Sequence, residues 1–207
     1  MKIYITLDYE LFFGSQSGGI DDCIINPTNE LLKIVDPYNV KIVFFVDVGY
    51  IDKLNEFKQH HPELQEDYKK ITSQIKLLSK NGHGIELHIH PHWENTVYDG
   101  EKWVFDTSQY KLQDFSKEEA YAIVIKYTTL LNSISGKKAI AYRAGGWSAQ
   151  PFSHISKALK DAGILFDSTT YPKGYHQSKH QAYDFRNVAQ YKTEYRFEND
   201  LTVEDPN

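Results

Sequence analysis

The sequence predicts an α/β domain of parallel strands alternating with helices, and three observations carry that reading. Strand-like and helix-like segments alternate five times along 207 residues, with no repeat and no low-complexity linker. The run Lys41 to Val46 is apolar after its lysine and of strand length, which suits a strand covered on both faces. Polar, reactive residues collect where strands one, three and four end: Asp8 and Glu10, His88 to His92, and Arg143. An open doubly wound sheet and a closed barrel both fit the alternation. Chemistry gathered at strand ends favours the barrel, because an open sheet usually adds a Gly-rich phosphate loop and none follows strand one.

Each element has its own signal. Lys2 to Leu7 is rich in β-branched residues and reads as a strand. Asn26-Pro27-Thr28 opens a helix through Val35, with proline in its first turn. A long helical stretch follows the second strand, with Leu64, Tyr68, Ile71, Ile75 and Leu78 at steps of four and three, stopped by Asn81-Gly82. In Gly84 to Ile89, apolar Ile85, Leu87 and Ile89 alternate with Glu86 and His88, so one strand face is apolar and the other polar. An aromatic insertion spans about 93–115, and its Asp99-Gly100 pair suggests a small hairpin. Ser116 and Glu119 form a capping box for a helix that buries Ile123, Val124, Tyr127, Leu130, Leu131 and Ile134 and ends at Gly136. Lys138 to Tyr142 is a fourth strand, Gln150 to Ala162 a helix, and Ile164 to Phe166 a fifth strand. From Tyr183 onward the chain has weak strand character and no helix. The whole of 1–207 reads as one domain.

Composition narrows the function. Apolar residues make up 41% and charged residues 25%, the balance of a folded globular chain. No apolar run exceeds the six residues Ala120 to Ile125, so no membrane span is expected. A net charge of −5 argues against a nucleic-acid partner. Cys23 stands alone, which excludes an internal disulfide and any paired-cysteine metal motif. Asp8 falls where a signal peptide would have its apolar centre, so a cytoplasmic location is expected.

Three segments offer chemistry. Asp8 and Glu10 lie two residues apart, on the same side of an extended segment, and interrupt an apolar strand; buried carboxylates there need a cation or a donor. A solvated strand end would carry the same pair. His88, His90 and His92 cluster within five residues, although composition alone gives about 0.4 H-x-x-x-H pairs in such a chain. Pro91 turns the backbone there and can bring His88 and His92 around one point with an acid from strand one, a set that leaves ligand positions open. Plain polar-face strand residues would look similar. Arg143 precedes Ala144-Gly145-Gly146, whose glycines allow close approach of backbone to a ligand.

Together these segments resemble the NodB-like polysaccharide deacetylases of carbohydrate esterase family 4. Thr6-Leu7-Asp8-Tyr9-Glu10 is similar to the family's Thr-Phe-Asp-Asp-Gly-like strand end. His88-Ile89-His90-Pro91-His92 is similar to its His-(Ser/Thr)-x-x-His motif, and Arg143-Ala144-Gly145-Gly146 to its Arg-x-Pro-(Tyr/Phe). Order and placement agree over about residues 1–170. The resemblance implies a distorted (β/α)7-type barrel, with Asp8 as general base and Glu10, His88 and His92 holding a divalent metal. Arg143 would orient Asp8, and the Gly146 N–H would help form the oxyanion hole. Zinc is the first expectation for the metal, with cobalt, nickel or manganese as other options. The implied reaction removes N-acetyl or O-acetyl groups from an acetylated saccharide. Trp93 and Trp147 would stack on its rings, though ordinary rim packing explains them equally.

The departures define a divergent Asp-x-Glu branch. Tyr9 replaces the usual second Asp, so Glu10 takes the ligand role; Ile89 replaces the Ser/Thr; the third motif lacks its Pro and Tyr. No Leu-x-x-x-His motif, source of the family's general-acid histidine, occurs before Asn207, and His176 and His180 lack that context. The expectation is therefore a barrel lacking its last strands, an acid supplied from elsewhere, or impaired turnover. Two other readings stay open: a catalytically impaired carbohydrate-binding relative, and a metal-free glycoside hydrolase using Asp8 and Glu10. The second is strained by both carboxylates sharing one strand side rather than flanking a bond.

Overall fold

A computed structural model of the chain describes residues 3–12 and 18–206. In chain order its strands are β1 (Thr6–Tyr9), β2 (Val43–Asp47), β3 (Gly84–Ile89), the hairpin β4 (Val97–Tyr98) and β5 (Trp103–Val104), β6 (Ala141–Ala144), β7 (Phe166–Asp167), and a second hairpin, β8 (Tyr175–Gln177) and β9 (Ala182–Asp184). The helices are α1 (Asn26–Val35), α2 (Val48–Phe57), α3 (Pro62–Lys80), α4 (Lys117–Ser135) and α5 (Ser156–Asp161).

The central sheet has the order β1-β2-β3-β6-β7, and every pair in it is parallel. That order never reverses, so there is no switch point. Parallel connections adopt right-handed crossovers, and a sheet wound in one sense places all of them on the same face. Among the described residues this sequential order differs from that of a doubly wound sheet. Among the described residues β1 and β7 are the outer strands.

Registered residues on parallel strands point the same way, so the sheet has two chemically distinct faces. On one, Tyr9, Phe44, Val46, Ile85, Leu87, Ile89, Tyr142 and Ala144 join a single buried cluster with Ile71, Ile75 and Leu78 of α3 and Val124, Tyr127 and Leu131 of α4. On the other stand Thr6, Asp8, Phe45, Asp47, Glu86, His88 and Arg143. Phe45 is buried but lies outside the apolar cluster; the Arg143 guanidinium covers its ring at 4.0 Å.

The polar face is concave. Arg143 on β6 donates to Asp8 Oδ1 at 2.6 Å and to Thr6 Oγ1 at 2.8 Å, both on β1, across β2 and β3. In a flat sheet those strands would be roughly 14 Å apart with parallel side chains, so the contact requires the sheet to curl towards this face. Asp8 and Arg143 therefore meet across the mouth of a curled sheet rather than on neighbouring strands.

Local signals account for most boundaries. Ser116 Oγ accepts from Glu119 N at 3.2 Å while the Glu119 carboxylate accepts from Ser116 N at 2.8 Å, and Gly136 ends α4 at φ +71°. Asp99 Oδ1 accepts the N–H groups of Glu101 and Lys102, each at 2.9 Å, and closes the β4–β5 turn. Strand one begins later than expected, at Thr6; Lys2 lies outside the described residues. The segment expected as a helix over 150–162 is split into a 3-10 turn, Phe152–His154, and the short α5.

Candidate active site

The polar side chains converge where the strands end. Register aligns Asp47, His88 and Arg143 across β2, β3 and β6, and Glu10 follows the last paired residue of β1. β3 stays extended through His90 (φ −107°, ψ 96°), so His88 and His90, two residues apart, share the concave face. His88 Nε2 lies 3.1 Å and His90 Nε2 2.9 Å from the same oxygen, Glu10 Oε2. One ligand atom from each of Glu10, His88 and His90 lies within 4.8 Å of the other two. Both imidazoles are buried and Glu10 is half-buried.

The backbone holds this trio in place. His88 Nδ1 lies 2.8 Å from the Arg143 carbonyl, which can only accept, so Nδ1 carries a proton and Nε2 is left to face Glu10. A Cβ on Gly145 would stand 2.5 Å from the Ile89 carbonyl and 2.6 Å from His90 Nδ1, so only glycine lets the turn after β6 close against the His90 ring. Burial would raise the Glu10 pKa, but hydrogen bonds and charge from His88 and His90 hold it down to about 2. Burial would lower that of His88, yet the Glu10 carboxylate raises it above its usual value. Burial lifts Asp47 to about 6 against the pull of His90 and His88. A divalent ion fits this donor set of one carboxylate and two imidazoles, and its binding would displace the proton shared between His88 and Glu10.

Asp8 is the more open carboxylate, with its side chain 37% exposed, and Arg143 fixes it. The guanidinium is itself fully placed: Nε donates to the Ser168 carbonyl at 3.2 Å and Nη2 to Ser168 Oγ at 3.0 Å, besides its bonds to β1. Gly146 and Trp147 both adopt φ +56° in the turn after β6. That conformation is costly for a bulky residue, and it leaves the Trp147 ring 45% exposed beside Tyr171 and Tyr183. A cavity of about 240 Å³ joins these groups, lined by Asp8, Glu10, His88, His90, Tyr110, Arg143, Ala144, Gly146, Trp147 and Gln181.

Two expected residues lie elsewhere. The structure brings His90, not His92, to Glu10. Pro91 starts a 3-10 turn, Pro91–Asn95, that carries the His92 ring behind the site against Trp93, Phe105 and Tyr110, where burial depresses its pKa to about 3. Trp93 is fully buried rather than at the mouth. Its indole N–H donates to Asp47 Oδ2 at 2.6 Å, and its ring lies where a Cβ on Gly49 would come within 2.8 Å, so no sugar ring can reach it.

Tyr110 and Gln181 are additions from outside the three motifs. Tyr110 comes from the aromatic insertion, and burial with the charges of Glu10 and Asp47 raises its pKa. Gln181 precedes β9 and donates to the Gly146 carbonyl at 2.7 Å. Neither residue type nor spacing marks them in the sequence. His180 Nδ1 lies 3.0 Å from the Thr107 carbonyl and His176 stacks on Tyr183, so neither lines the cavity. A second, wider cavity of about 520 Å³ lies beyond Gln181, against Tyr175, Tyr183, Arg186 and Asp200.

No family model matches the sequence, and no curated protein matches it. Among solved structures, the fold is similar to that of a protein described as a polysaccharide deacetylase from Mycobacterium smegmatis, at 20% identity and TM-score 0.44, over 80% of this chain and 50% of that one. It is similar to the polysaccharide deacetylase of Bacillus cereus at 18% identity and TM-score 0.41, over 79% and 58% of the two chains. A family 4 acetyl xylan esterase from Clostridium thermocellum, solved with a cobalt ion, shows 15% identity and TM-score 0.37, over 82% and 75%. This chain thus spans about half the length of the first two proteins, and likeness at these values describes an architecture only.

Proposed function

We propose that the chain is a metal-dependent hydrolase that removes acetyl groups from a saccharide, acting as one deacetylase-like domain. The observation that carries this reading is the convergence of Glu10, His88 and His90 beside the Asp8–Arg143 pair on the helix-free concave face. Glu10, His88 and His90 would hold the metal, zinc first among divalent ions. When bound, such an ion supplies a Lewis acid that polarises the acyl carbonyl and acidifies water at the site. Asp8 accepts the proton from the attacking water, and Arg143, 2.6 Å from its Oδ1, keeps that carboxylate aimed. The Gly146 N–H donates to the acyl oxygen as charge develops there. Trp147 offers its exposed ring to a sugar at the rim.

Elemental analysis and an acetate-release assay on N-acetylated and O-acetylated oligosaccharides test the reading together. One ion per chain is expected, with release that stops on chelation and returns with metal. A metal-free protein, or release indifferent to chelation, would refute it. Arg143→Ala should lower kcat about 100-fold with metal content unchanged, since only the Arg143 backbone touches a proposed ligand. Loss of the metal in a folded Arg143→Ala protein would remove Arg143 from this role.

A second reading, carbohydrate binding with impaired turnover, is favoured by one observation: besides His88 and His90, no imidazole lines the cavity to protonate a leaving amine. Metal and saccharide binding without acetate release would select it. A metal-free glycosidase is disfavoured, because Asp8 is held by Arg143 and Glu10 by His88 and His90 along one strand end rather than flanking a bond.

A further inference from the structure

We propose that the phenolic hydroxyl of Tyr110 donates a hydrogen bond to the acyl oxygen as it becomes negative, acting beside Gly146 as a second oxyanion donor supplied by the aromatic insertion. The inference rests on the deacetylase reading above and adds a catalytic group to it.

Placement comes first. Tyr110 lines the same cavity as Asp8, Glu10, His88 and His90. Its hydroxyl is 3.0 Å from the point where a Cβ on Gly146 would stand, so it lies directly beside the turn that carries the first donor. Its ring is flanked by two imidazoles, stacked on His92 at 6.0 Å and 11° and edge-on to His90 at 6.2 Å. The supporting segment is pinned by short contacts. Asp114 Oδ2 accepts from the N–H of Tyr110 at 3.0 Å and of Lys111 at 3.1 Å, and Gln109 Nε2 donates to the Asp114 carbonyl at 3.1 Å. A donor held this way needs little reorganisation when charge appears.

The supply of donors in the cavity gives the second argument. Asp8 and Glu10 as carboxylates only accept. Arg143 commits Nε, Nη1 and Nη2 to Asp8, Thr6 and Ser168. His88 commits Nδ1 to a carbonyl, and the Gln181 amide gives one of its two N–H groups to the Gly146 carbonyl. Among the described residues, no group takes a hydrogen bond from the Tyr110 hydroxyl, and a phenol is a protonated donor at neutral pH. Trp147 also keeps an indole N–H, but at the exposed rim. Tyr110 therefore brings a hydroxyl proton to the inner wall, on the side of the cavity where Gly146 lies.

Tyr110→Phe keeps the ring against His92 and removes only the O–H. With metal supplied, kcat for an acetyl ester and an acetamide should fall 10- to 1,000-fold, as removal of one oxyanion donor does, with KM within about threefold. The dissociation constant for acetate, measured by calorimetry on the metal-loaded protein, should rise about tenfold. Metal affinity and Tm should not move, which a merely structural role would not allow. In the native chain, acetate should perturb the tyrosine ultraviolet spectrum, because Tyr110 is the tyrosine lining the cavity among the described residues. That measurement decides the matter if the variant does not fold. Wild-type kcat together with wild-type acetate affinity in Tyr110→Phe, or no spectral response to saturating acetate, would overturn the proposal. If the native chain hydrolyses neither substrate while its acetate affinity depends on Tyr110, the deacetylase reading falls and the donor stands.

Discussion

The two faces of the central sheet are built from alternate residues of the same strands, yet they follow opposite rules. In β3, Ile85, Leu87 and Ile89 enter the core beneath α3 and α4, whereas Glu86 and His88 face the concavity. One face gains its stability from apolar area removed from water. The other must match each buried polar atom to a partner: Glu86 accepts the N–H groups of Ile140 and Ala141, each at 2.7 Å, and Arg143 spreads its donors over three residues. Sequential winding makes this division possible, because among the described residues it places the crossover helices on the other face. Stability and chemistry can then be altered almost independently, residue by residue along one strand.

The largest separation should appear in metal binding. His88→Ala and His90→Ala should each weaken it by more than about 100-fold, whereas His92→Ala should leave it within about tenfold. Titration calorimetry with a divalent ion measures all three, and a His92→Ala defect as large as the other two would return the ligand role to His92.

The apolar face should respond in reverse. Leu87→Ala, one residue before His88 and wholly buried, should cost about 3 kcal/mol in denaturant unfolding, with the folded protein's metal affinity unchanged. A cost below about 1 kcal/mol would contradict the packing described for this face.

The smallest effect concerns Asp167 on β7, whose carboxyl accepts from Thr169 N at 2.8 Å and Thr169 Oγ1 at 3.0 Å and which burial pushes up to about 6. Because the folded pKa lies above the usual 3.8, the stability this group contributes is complete below about pH 4 and is lost as pH rises through 6. Asp167→Asn should therefore gain on the native chain by about 2 kcal/mol between pH 4 and 7, less than the full shift implies because Asp167 keeps some contact with solvent. Parallel pH–stability curves for the two proteins would show that Asp167 does not titrate in this range.

Much of this division can be read along the chain, and what escapes it has physical causes. The alternation in β3, the stripe of α3 and the cap of α4 are local patterns, and they appear where expected. α2 places its buried residues, Val48, Gly49, Tyr50, Ile51, Lys53 and Leu54, almost without a break in its first two turns, so the sequence offers no clean stripe to separate it from the stretch after it. The expected set of Glu10, His88 and His92 differs from the observed grouping of Glu10, His88 and His90, and the difference arises at Pro91. Motif spacing points to His92, but the strand stays extended only through His90, so two-residue alternation brings His90 to Glu10 and the turn that starts at Pro91 takes His92 away. Trp93, expected to stack on a sugar ring, is carried by the same turn so that its indole points towards Asp47. Tyr110 and Gln181 reach the site only through tertiary folding, for which one sequence gives no period.

The bond between Asp8 and Arg143 joins residues 135 positions apart, and Glu10 and His88 are separated by 78. Such long chain closures are entropically the last to repay their cost, and proteins dominated by them fold slowly. Helix α4 and the β4–β5 hairpin can form from near neighbours soon after they are synthesised, but the Asp8–Arg143 contact needs β1 and β6 in the sheet at once. A nascent chain released before Arg143 would hold its first acidic residues on an edge strand with no clasp to curl it. The same guanidinium that fixes a carboxylate is thus a checkpoint for assembly: Asp8 is clasped only after β6 has docked and the sheet has taken its curvature.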